Sequence, residues 1–347
     1  MEILLFLIFN YPVRVLFSGS LVLGTLIAAS SNIWFGAWVG LELNLLSFIP
    51  LLSGKRIIAS EAALKYFLTQ ALASIFLFST ILFYLTYFKL CLQIQSGTFS
   101  IFTIFTTALL IKLGAAPFHF WFPGVIEGST WINNLILITW QKVAPIILIS
   151  YVFCGNLFAY SVIILSVLVG AIGGLNQTSL RKIIAYSSIN HLGWILSGLL
   201  LSNLFWFSYF LFYCFLSYSL ISLFHQLHLS QLHQLFVIRD SNNFRKIFLF
   251  CNFLSLGGLP PFIGFLPKWL IIQGLVAQSL TILAVICTTI TLIVLFYYLR
   301  VFFPRILLTS AIPKWLNPST FWGSINTALA SISLLGLPLF PVVYILS

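Results

Sequence analysis

Long apolar runs recur along almost the whole sequence, and they constrain the fold more than any other feature. A helix needs about 20 mostly apolar residues to cross a membrane. Eleven stretches qualify, at residues 13–31, 32–53, 60–87, 100–128, 131–152, 157–175, 182–200, 203–223, 245–275, 277–303 and 320–346. Only 6% of the residues are charged, against about 25% in soluble proteins. The sequence therefore predicts an all-α integral membrane protein with eleven transmembrane helices, forming a single polytopic domain over residues 1–347.

The basic residues of the predicted loops indicate an orientation. With eleven spans, the N-terminal face carries eleven Lys and Arg residues, whereas the opposite face carries only Lys89. Loops on the cytoplasmic or matrix side of a membrane are enriched in basic residues. We therefore expect the N-terminus on the bacterial cytoplasmic or mitochondrial matrix side. The net charge of +11 is interpreted as this topology signal and not as a nucleic-acid-binding surface.

Glycine and proline interrupt two of the predicted spans. The interruptions read KLGAAPFHFWFP at 112–123 and LGGLPPFIGFLPKW at 256–269. Proline removes a backbone donor and clashes with the preceding turn, so both spans are predicted to be broken helices. When Leu113-Gly114 is matched with Leu256-Gly257, the first proline falls at the same spacing and the second falls one residue later.

The positions of the two interruptions predict an inverted repeat. They lie in the fourth and ninth spans, and an offset of five helices gives the two units opposite orientations. Paired broken helices in inverted repeats are typical of transport sites. The predicted repeats cover residues 13–152 and 157–303, and a C-terminal helix follows at 320–346.

Four ionisable residues lie deep inside different predicted spans: Glu42, Lys112, Lys142 and Lys268. A charge at the bilayer centre costs about 2.5–3.5 kcal/mol, so these side chains should face the bundle interior and meet one another or water. Burial favours the neutral amine and a nearby carboxylate favours the charged form. Groups held between these influences can load and unload a proton. Proton transport is therefore the favoured interpretation, and structural ion pairs between helices are the alternative.

Three further residues are candidate proton relays. His119 lies in the first interruption and His191 lies inside the seventh span, and histidine titrates near neutral pH. Each is equally compatible with a hydrogen-bonded packing role. Lys65 follows Glu61 by four residues, a spacing that favours an anchoring pair on one helix face over a relay. Ser60 is predicted to be the N-cap of that helix, with Glu61 in its first turn.

Other kinds of site are not indicated. The sequence contains no P-loop, Rossmann glycine pattern or CxxC spacing, so we expect no metal or cofactor in this chain. Three histidines at 225, 228 and 233 could bind a metal, but a solvated loop is favoured because no fourth ligand is near. The five cysteines are interpreted as small apolar residues; they are Cys91, Cys154, Cys214, Cys251 and Cys287.

Several motifs resemble one known family. They are WVGLELN at 38–44, EAALKYFLTQ at 61–70, the first interruption at 112–123, TWQKVAP at 139–145, GGLNQT at 173–178 with Arg181-Lys182, and the second interruption at 257–269. In this order they closely resemble mitochondrial NADH dehydrogenase subunit 2, an antiporter-like membrane subunit of respiratory complex I. The shortened animal form of that family has eleven helices, which agrees with the count above.

The resemblance implies proton translocation coupled to electron transfer from NADH to ubiquinone, in the mitochondrial inner membrane with the N-terminus on the matrix side. NADH, FMN, iron–sulfur clusters and ubiquinone would belong to partner subunits. The neighbours would be other complex I membrane subunits and phospholipids, with no nucleic acid. Glu42 would pair with Lys112, Lys142 would be the central lysine, and Lys268 would lie on the exit side. The alternatives are a stand-alone sodium/proton antiporter and a structural spacer subunit without its own proton path.

Overall fold

A computed structural model describes residues 12–54, 56–90, 97–237 and 243–307 of the chain. Within these ranges the chain is helical and has no named strand, only an isolated antiparallel bridge between Ser179 and Gln231. The helices of this part are α1 Pro12–Ser30, α2 Trp34–Leu52, α3 Ile57–Leu90, α4 Gly97–Leu113, α5 Trp121–Gly128, α6 Trp131–Ile138, α7 Trp140–Ser150, α8 Leu157–Gly174, α9 Leu180–Leu201, α10 Asn203–Gln226, α11 Gln234–Val237, α12 Asn243–Gly257, α13 Phe265–Ala277 and α14 Thr281–Leu307. The predicted span at 320–346 lies outside the described residues, so the count of eleven stays a prediction.

Seven helical segments of the described chain are long and apolar enough to cross a membrane. They are Trp34–Leu52, Ile57–Thr86, Trp131–Ser150, Leu157–Gly174, Leu180–Leu201, Asn203–Gln226 and Thr281–Val301. Large apolar side chains such as Leu23, Ile75 and Leu292 remain exposed on the helices. Such a surface is unfavourable in water but suits lipid or neighbouring membrane helices. The chain is therefore a multi-pass membrane protein.

The described residues form two compact units, which divide after residue 159. In the first unit, α1 and α2 approach so closely that their backbones nearly touch. A Cβ atom on Gly40 would lie 2.5 Å from the backbone nitrogen of Ala28, and one on Gly24 would lie 2.9 Å from that of Asn44. Small residues permit such close packing of membrane helices. α2 also packs on α3, which in turn contacts α4 and α5, and α7 contacts α1, α2 and α4.

The start of α3 corrects one expectation. The carbonyl of Arg56 accepts hydrogen bonds from the backbone of Ala59 and Ser60, so the helix begins at Ile57. Ser60 is then already helical, and its hydroxyl donates to the carbonyl of Ile57 at 2.7 Å. The prediction of Ser60 as N-cap was wrong, and Glu61 lies in the second turn. The physical reason is that the backbone carbonyl of Arg56 already accepts the first hydrogen bonds of the helix, upstream of Ser60.

The second unit is arranged around α9, the most enclosed of the seven spans in the described chain. Its N-cap is Ser179, whose hydroxyl accepts a hydrogen bond from the backbone N–H of Lys182 at 3.4 Å. α10, α13 and α14 pack on α9. α8 also approaches it, because a Cβ atom on Gly170 would lie 2.5 Å from the backbone nitrogen of Asn190. α10 continues to Gln226, so His225 lies in its last turn and not in the following loop.

In each unit, one of the two predicted interruptions forms a short non-helical turn between two helices. α4 ends at Leu113 and α5 begins at Trp121; α12 ends at Gly257 and α13 begins at Phe265. The residue after each first helix is a glycine with a left-handed backbone, Gly114 at φ 71° and Gly258 at φ 78°. Glycine adopts this conformation without the steric cost that a Cβ atom would impose.

The same hydrogen-bond pattern closes both first helices. In the first unit, Ala115 N–H donates to the Leu110 carbonyl at 3.2 Å and Gly114 N–H donates to the Ile111 carbonyl at 3.2 Å. The equivalent pairs in the second unit are Leu259 to Leu254 at 3.3 Å and Gly258 to Ser255 at 3.0 Å. Both are Schellman motifs, which satisfy carbonyls at a helix C-terminus.

The two turns have the same length and the same proline positions once their left-handed glycines are aligned. Three and nine residues after Gly114 come Pro117 and Pro123, and the same steps after Gly258 lead to Pro261 and Pro267. The sequence match of Leu113-Gly114 with Leu256-Gly257 was therefore one residue out of register. The Leu-Gly pair was a misleading marker, because the second interruption contains two glycines and only Gly258 has the left-handed conformation.

Candidate functional site

A polar cavity in the first unit brings Lys112 and Lys142 together. Both side chains line it, although one lies at the end of α4 and the other on α7. The space open to the centres of water-sized molecules is about 20 Å³, and one water requires about 10–15 Å³. The other polar side chains in the lining are Asn44, Tyr66, Gln70 and Gln141.

Lys112 is positioned by the end of its helix. It lies in the last turn of α4, where the helix dipole favours a positive charge. The amide of Gln70 donates to the Lys112 carbonyl at 3.2 Å, and the indole of Trp121 donates to the Ile111 carbonyl at 3.1 Å. Two carbonyls at the helix end thus accept hydrogen bonds from side chains of α3 and α5. Glu42, half-buried on α2, is close enough to Lys112 to interact with it electrostatically.

Lys142 is more deeply buried than Lys112 or Lys268, with 2% of its surface exposed. Its Nζ lies 5.0 Å from the centre of the Phe122 ring, a distance at which an ammonium group is attracted to an aromatic face. The adjacent amide of Gln141 donates to Asn44 Oδ1 at 2.9 Å and accepts from the Tyr66 hydroxyl at 3.4 Å. One amide therefore links α2, α3 and α7 beside the buried lysine.

Two of the predicted relay residues lie apart from this cavity. His119 is half-buried, its ring stacks on Phe120 with 4.3 Å between centres, and its Nδ1 lies 3.2 Å from the Pro117 carbonyl oxygen. Lys65 is exposed, and its aliphatic part runs past Gly124 of α5. Neither side chain is part of the cavity lining.

Lys268 and His191 belong to a polar cluster in the second unit. Lys268 is buried in the first turn of α13, and its Nζ donates to the carbonyl of Gly257 at 2.8 Å. The same Nζ lies 5.9 Å from the centre of the Trp194 ring. His191 is buried on α9, with Nδ1 2.9 Å from the hydroxyl oxygen of Tyr209. The ammonium group thus meets the C-terminal end of α12, where carbonyl groups favour a cation.

Further polar groups around His191 are buried without a protein partner among the described residues. Both polar atoms of the Asn190 side chain and the indole N–H of Trp194 are of this kind. Buried polar groups are rarely left unsatisfied, and ordered water is their usual partner when the protein supplies none. The surroundings of His191 therefore suit water molecules.

The polar side chains that surround the lysines were not singled out from the sequence. Asn44, Tyr66, Gln70 and Gln141 all lie within the motifs that carried the family resemblance. An amide or phenol inside an apolar helix costs less than a charge and is common, so none of them is diagnostic alone. A search for several polar residues at equal depth in neighbouring spans could have found them.

Comparison with known proteins gives the family. Residues 31–294 match the family model described as NADH:quinone oxidoreductase/Mrp antiporter, TM. The chain belongs to this family. The matched range contains Glu42, the three buried lysines and both interrupted helix pairs.

Relatives within the family cover nearly the whole chain. The sequence is 47% identical over 335 residues to NADH-ubiquinone oxidoreductase chain 2 of Anopheles gambiae, covering 94% of this chain and 96% of that one. The protein of the same name from Aedes aegypti is 48% identical over 331 residues, with the same coverage. The resemblance predicted from the motifs is therefore confirmed.

Solved structures from membrane complexes share the fold. A chain of respiratory complex I from Thermus thermophilus with bound Aureothin superposes with a TM-score of 0.80 at 25% identity, covering 95% of this chain and 79% of that one. A chain of the Mrp complex from Dietzia sp. superposes with a TM-score of 0.74 at 16% identity, covering 92% and 74%. The second likeness shows the fold alone.

Proposed function

We propose that this chain is a membrane subunit of respiratory NADH:ubiquinone oxidoreductase and takes part in proton translocation across the mitochondrial inner membrane. The family match and the named relatives support this proposal. The single observation that carries the chemistry is the meeting of Lys112 and Lys142 in one cavity large enough for water. NADH, FMN, iron–sulfur clusters and ubiquinone are bound by partner subunits, and this chain supplies part of the proton route within the membrane.

The cavity can pass a proton because the amines of Lys112 and Lys142 lie within it and each affects the protonation of the other. Two ammonium groups in one small cavity repel each other, so protonation of one favours release from the other. Glu42 stabilises the charged form of Lys112 by attraction. At an effective dielectric constant of about 20, unit charges about 4 Å apart interact by about 4 kcal/mol, which corresponds to about a thousandfold in proton affinity. A small movement between Glu42 and Lys112 is therefore enough to load or unload a proton.

The chain is proposed to span the membrane eleven times as two inverted repeats, residues 13–152 and 157–303, followed by a helix at 320–346. The pairs α4–α5 and α12–α13 are each one interrupted span. Their identical Schellman motifs and proline spacing support this arrangement. The N-terminus lies on the matrix side, phospholipids and other complex I membrane subunits surround the chain, and Lys268 lies on the exit side of the route.

The function is tested by Lys112→Met in the assembled complex. Methionine keeps most of the side-chain volume and removes the amine, so we expect fewer protons translocated per NADH oxidised while NADH oxidation continues. The measurement is the ratio of proton uptake to NADH consumption in sealed vesicles. Arg56→Met is the control, since Arg56 is exposed and outside the cavity. A full proton ratio with Lys112→Met would exclude this lysine from the route.

The two alternative functions make different predictions. A stand-alone sodium/proton antiporter would transport ions as the purified chain in liposomes, without partners. It is not favoured, because relatives matching 94% of the chain are named as chains of an oxidoreductase. A structural spacer would respond to Lys112→Met with less assembled complex and an unchanged proton ratio.

A further inference from the structure

Two adjacent tyrosines are buried on α14 close to the surface that carries basic residues. Tyr297 and Tyr298 are 2% and 1% exposed, whereas Arg300 is exposed. The guanidinium of Arg300 donates to the Leu175 carbonyl, just beyond the end of α8, at 2.9 Å. The tyrosines thus lie within one helical turn of an exposed arginine on the predicted matrix face.

Tyr297 extends toward this surface along the end of α8. A Cβ atom on Gly174, the last residue of α8, would lie 2.8 Å from Cε1 and 3.0 Å from Cζ of Tyr297. Only a glycine leaves room for the phenol ring there. The hydroxyl-bearing end of the Tyr297 ring is therefore beside Gly174, the residue before Leu175, whose carbonyl accepts the hydrogen bond from Arg300.

Tyr298 lies beside the backbone group to which Lys268 donates. Its Cδ2 lies 3.5 Å from the Cβ position of Gly257, whose carbonyl accepts the hydrogen bond from Lys268. Tyr298 also interacts with Ser187 on α9 and with Tyr297. The two rings lie 4.7 Å apart between centres, one beside the end of α8 and the other beside the carbonyl that binds Lys268.

Tyr298 is also near the partner of His191. It interacts electrostatically with Tyr209 on α10, and the Tyr209 hydroxyl lies 2.9 Å from Nδ1 of His191. Tyr298 is therefore adjacent to the residues that contact both Lys268 and His191.

The hydroxyls of Tyr297 and Tyr298 are suited to passing protons. Each is buried, and neither makes a well-aligned hydrogen bond to a described protein group. A buried hydroxyl left unsatisfied is unfavourable, so water is expected to bridge these groups. A phenol can accept a proton on its oxygen while its own proton leaves to the next acceptor. Each transfer returns the phenol to its neutral form, with no change in oxidation state.

We propose that Tyr297 and Tyr298 relay protons between the basic face of the second unit and the cluster of Lys268 and His191. The inference rests on the proposed function and adds residues that join the basic face of the second unit to its buried cluster. The acceptor and donor on either side of the phenols are water and the buried side chains already described.

The test uses the assembled complex in sealed vesicles and measures protons translocated per NADH oxidised. The main variant combines Tyr297→Phe with Tyr298→Phe, which removes both hydroxyls and keeps both rings. We expect its proton ratio to fall to that of Lys268→Met, and we expect no further fall when Lys268→Met is added, because all three changes interrupt one path. Tyr160→Phe, at a half-buried tyrosine of α8, is the matched control and should keep the full ratio.

A second variant separates a relay from a packing role. Tyr298→His restores a group that can accept and donate a proton, so it should recover part of the ratio that the phenylalanine variant loses. A double phenylalanine variant with the full ratio, beside a lowered ratio for Lys268→Met, would overturn the inference and leave the proposed function standing. Less assembled complex with an unchanged ratio would also overturn it. A full ratio for both Lys112→Met and Lys268→Met would instead contradict the proposed function.

Discussion

At the residue scale, neutral polar side chains reduce the cost of burying the lysines that are proposed to carry protons. A lone lysine in the membrane interior costs about 2.5–3.5 kcal/mol, and Lys112 and Lys142 share a cavity that four amide or phenol side chains help to line. The sequence predicted the lysines because charges are rare in apolar helices. It did not predict Asn44 or Gln141, since a neutral amide becomes informative only when its partner is known.

Gln141→Leu tests this support. The change removes the hydrogen bond to Asn44 and leaves the buried Asn44 amide oxygen without that donor. We expect a loss of about 1–3 kcal/mol in the free energy of unfolding. We also expect a lower proton ratio, because a polar side chain is removed from the cavity lining. Thermal unfolding of the complex and the vesicle assay measure the two effects. Gln278→Leu, at an exposed glutamine, is the control, and equal stability of both variants would contradict the role of Gln141.

At the element scale, the two interrupted helix pairs follow one design. Each first helix ends in a Schellman motif with a left-handed glycine, and the next helix begins seven residues after that glycine. In each pair, a side chain from the first turn of the second helix donates to a carbonyl at the end of the first, Trp121 to Ile111 and Lys268 to Gly257. Prolines predicted the interruptions, but the register depended on which glycine has positive φ, a property of the folded backbone.

Alanine at the two turn glycines should have unequal effects. Both changes force a Cβ atom into a left-handed conformation, which costs about 1–2 kcal/mol. At Gly258 that atom would also lie 2.8 Å from Cδ and 3.0 Å from Nζ of Lys268, whereas at Gly114 the nearest atom is Cζ2 of Trp121 at 3.2 Å. We therefore expect Gly258→Ala to lower the proton ratio and Gly114→Ala to act mainly on stability.

Thermal unfolding and the vesicle assay distinguish these outcomes. Gly19→Ala is the control, because Gly19 lies in α1 with no atom within 4 Å of the added Cβ. Equal proton ratios for Gly258→Ala and Gly19→Ala would show that Lys268 is not constrained by the turn.

At the scale of the whole molecule, the exposed apolar surface places the chain in a membrane, and the basic loops predict its orientation. A native cysteine provides a test. Cys154 is exposed in the turn between α7 and α8, and the eleven-span topology puts this turn on the face opposite the N-terminus. Arg56, also exposed, is predicted on the N-terminal face.

We expect a membrane-impermeant maleimide to label Cys154 from the intermembrane side and an introduced cysteine in Arg56→Cys from the matrix side. Mass spectrometry of intact mitochondria and of inverted inner-membrane vesicles measures the two reactions. Cys287 is buried and serves as the internal control that should stay unlabelled. Labelling of Cys154 only from the matrix side would reverse the proposed orientation.

The sequence by itself determined the class of protein, the approximate positions of spans in the described chain and the three buried lysines, and it predicts a basic face. These follow from hydropathy and charge, which are properties of the chain read in order. Only the tertiary structure decided which side chains meet, such as Gln141 with Asn44 or Tyr298 with Gly257. The physical reason is that these helices are apolar nearly all round, so no amphipathic stripe marks the face that each turns inward. The rotation of each helix about its own axis is instead decided by close packing at small residues and by hydrogen bonds between segments distant in sequence.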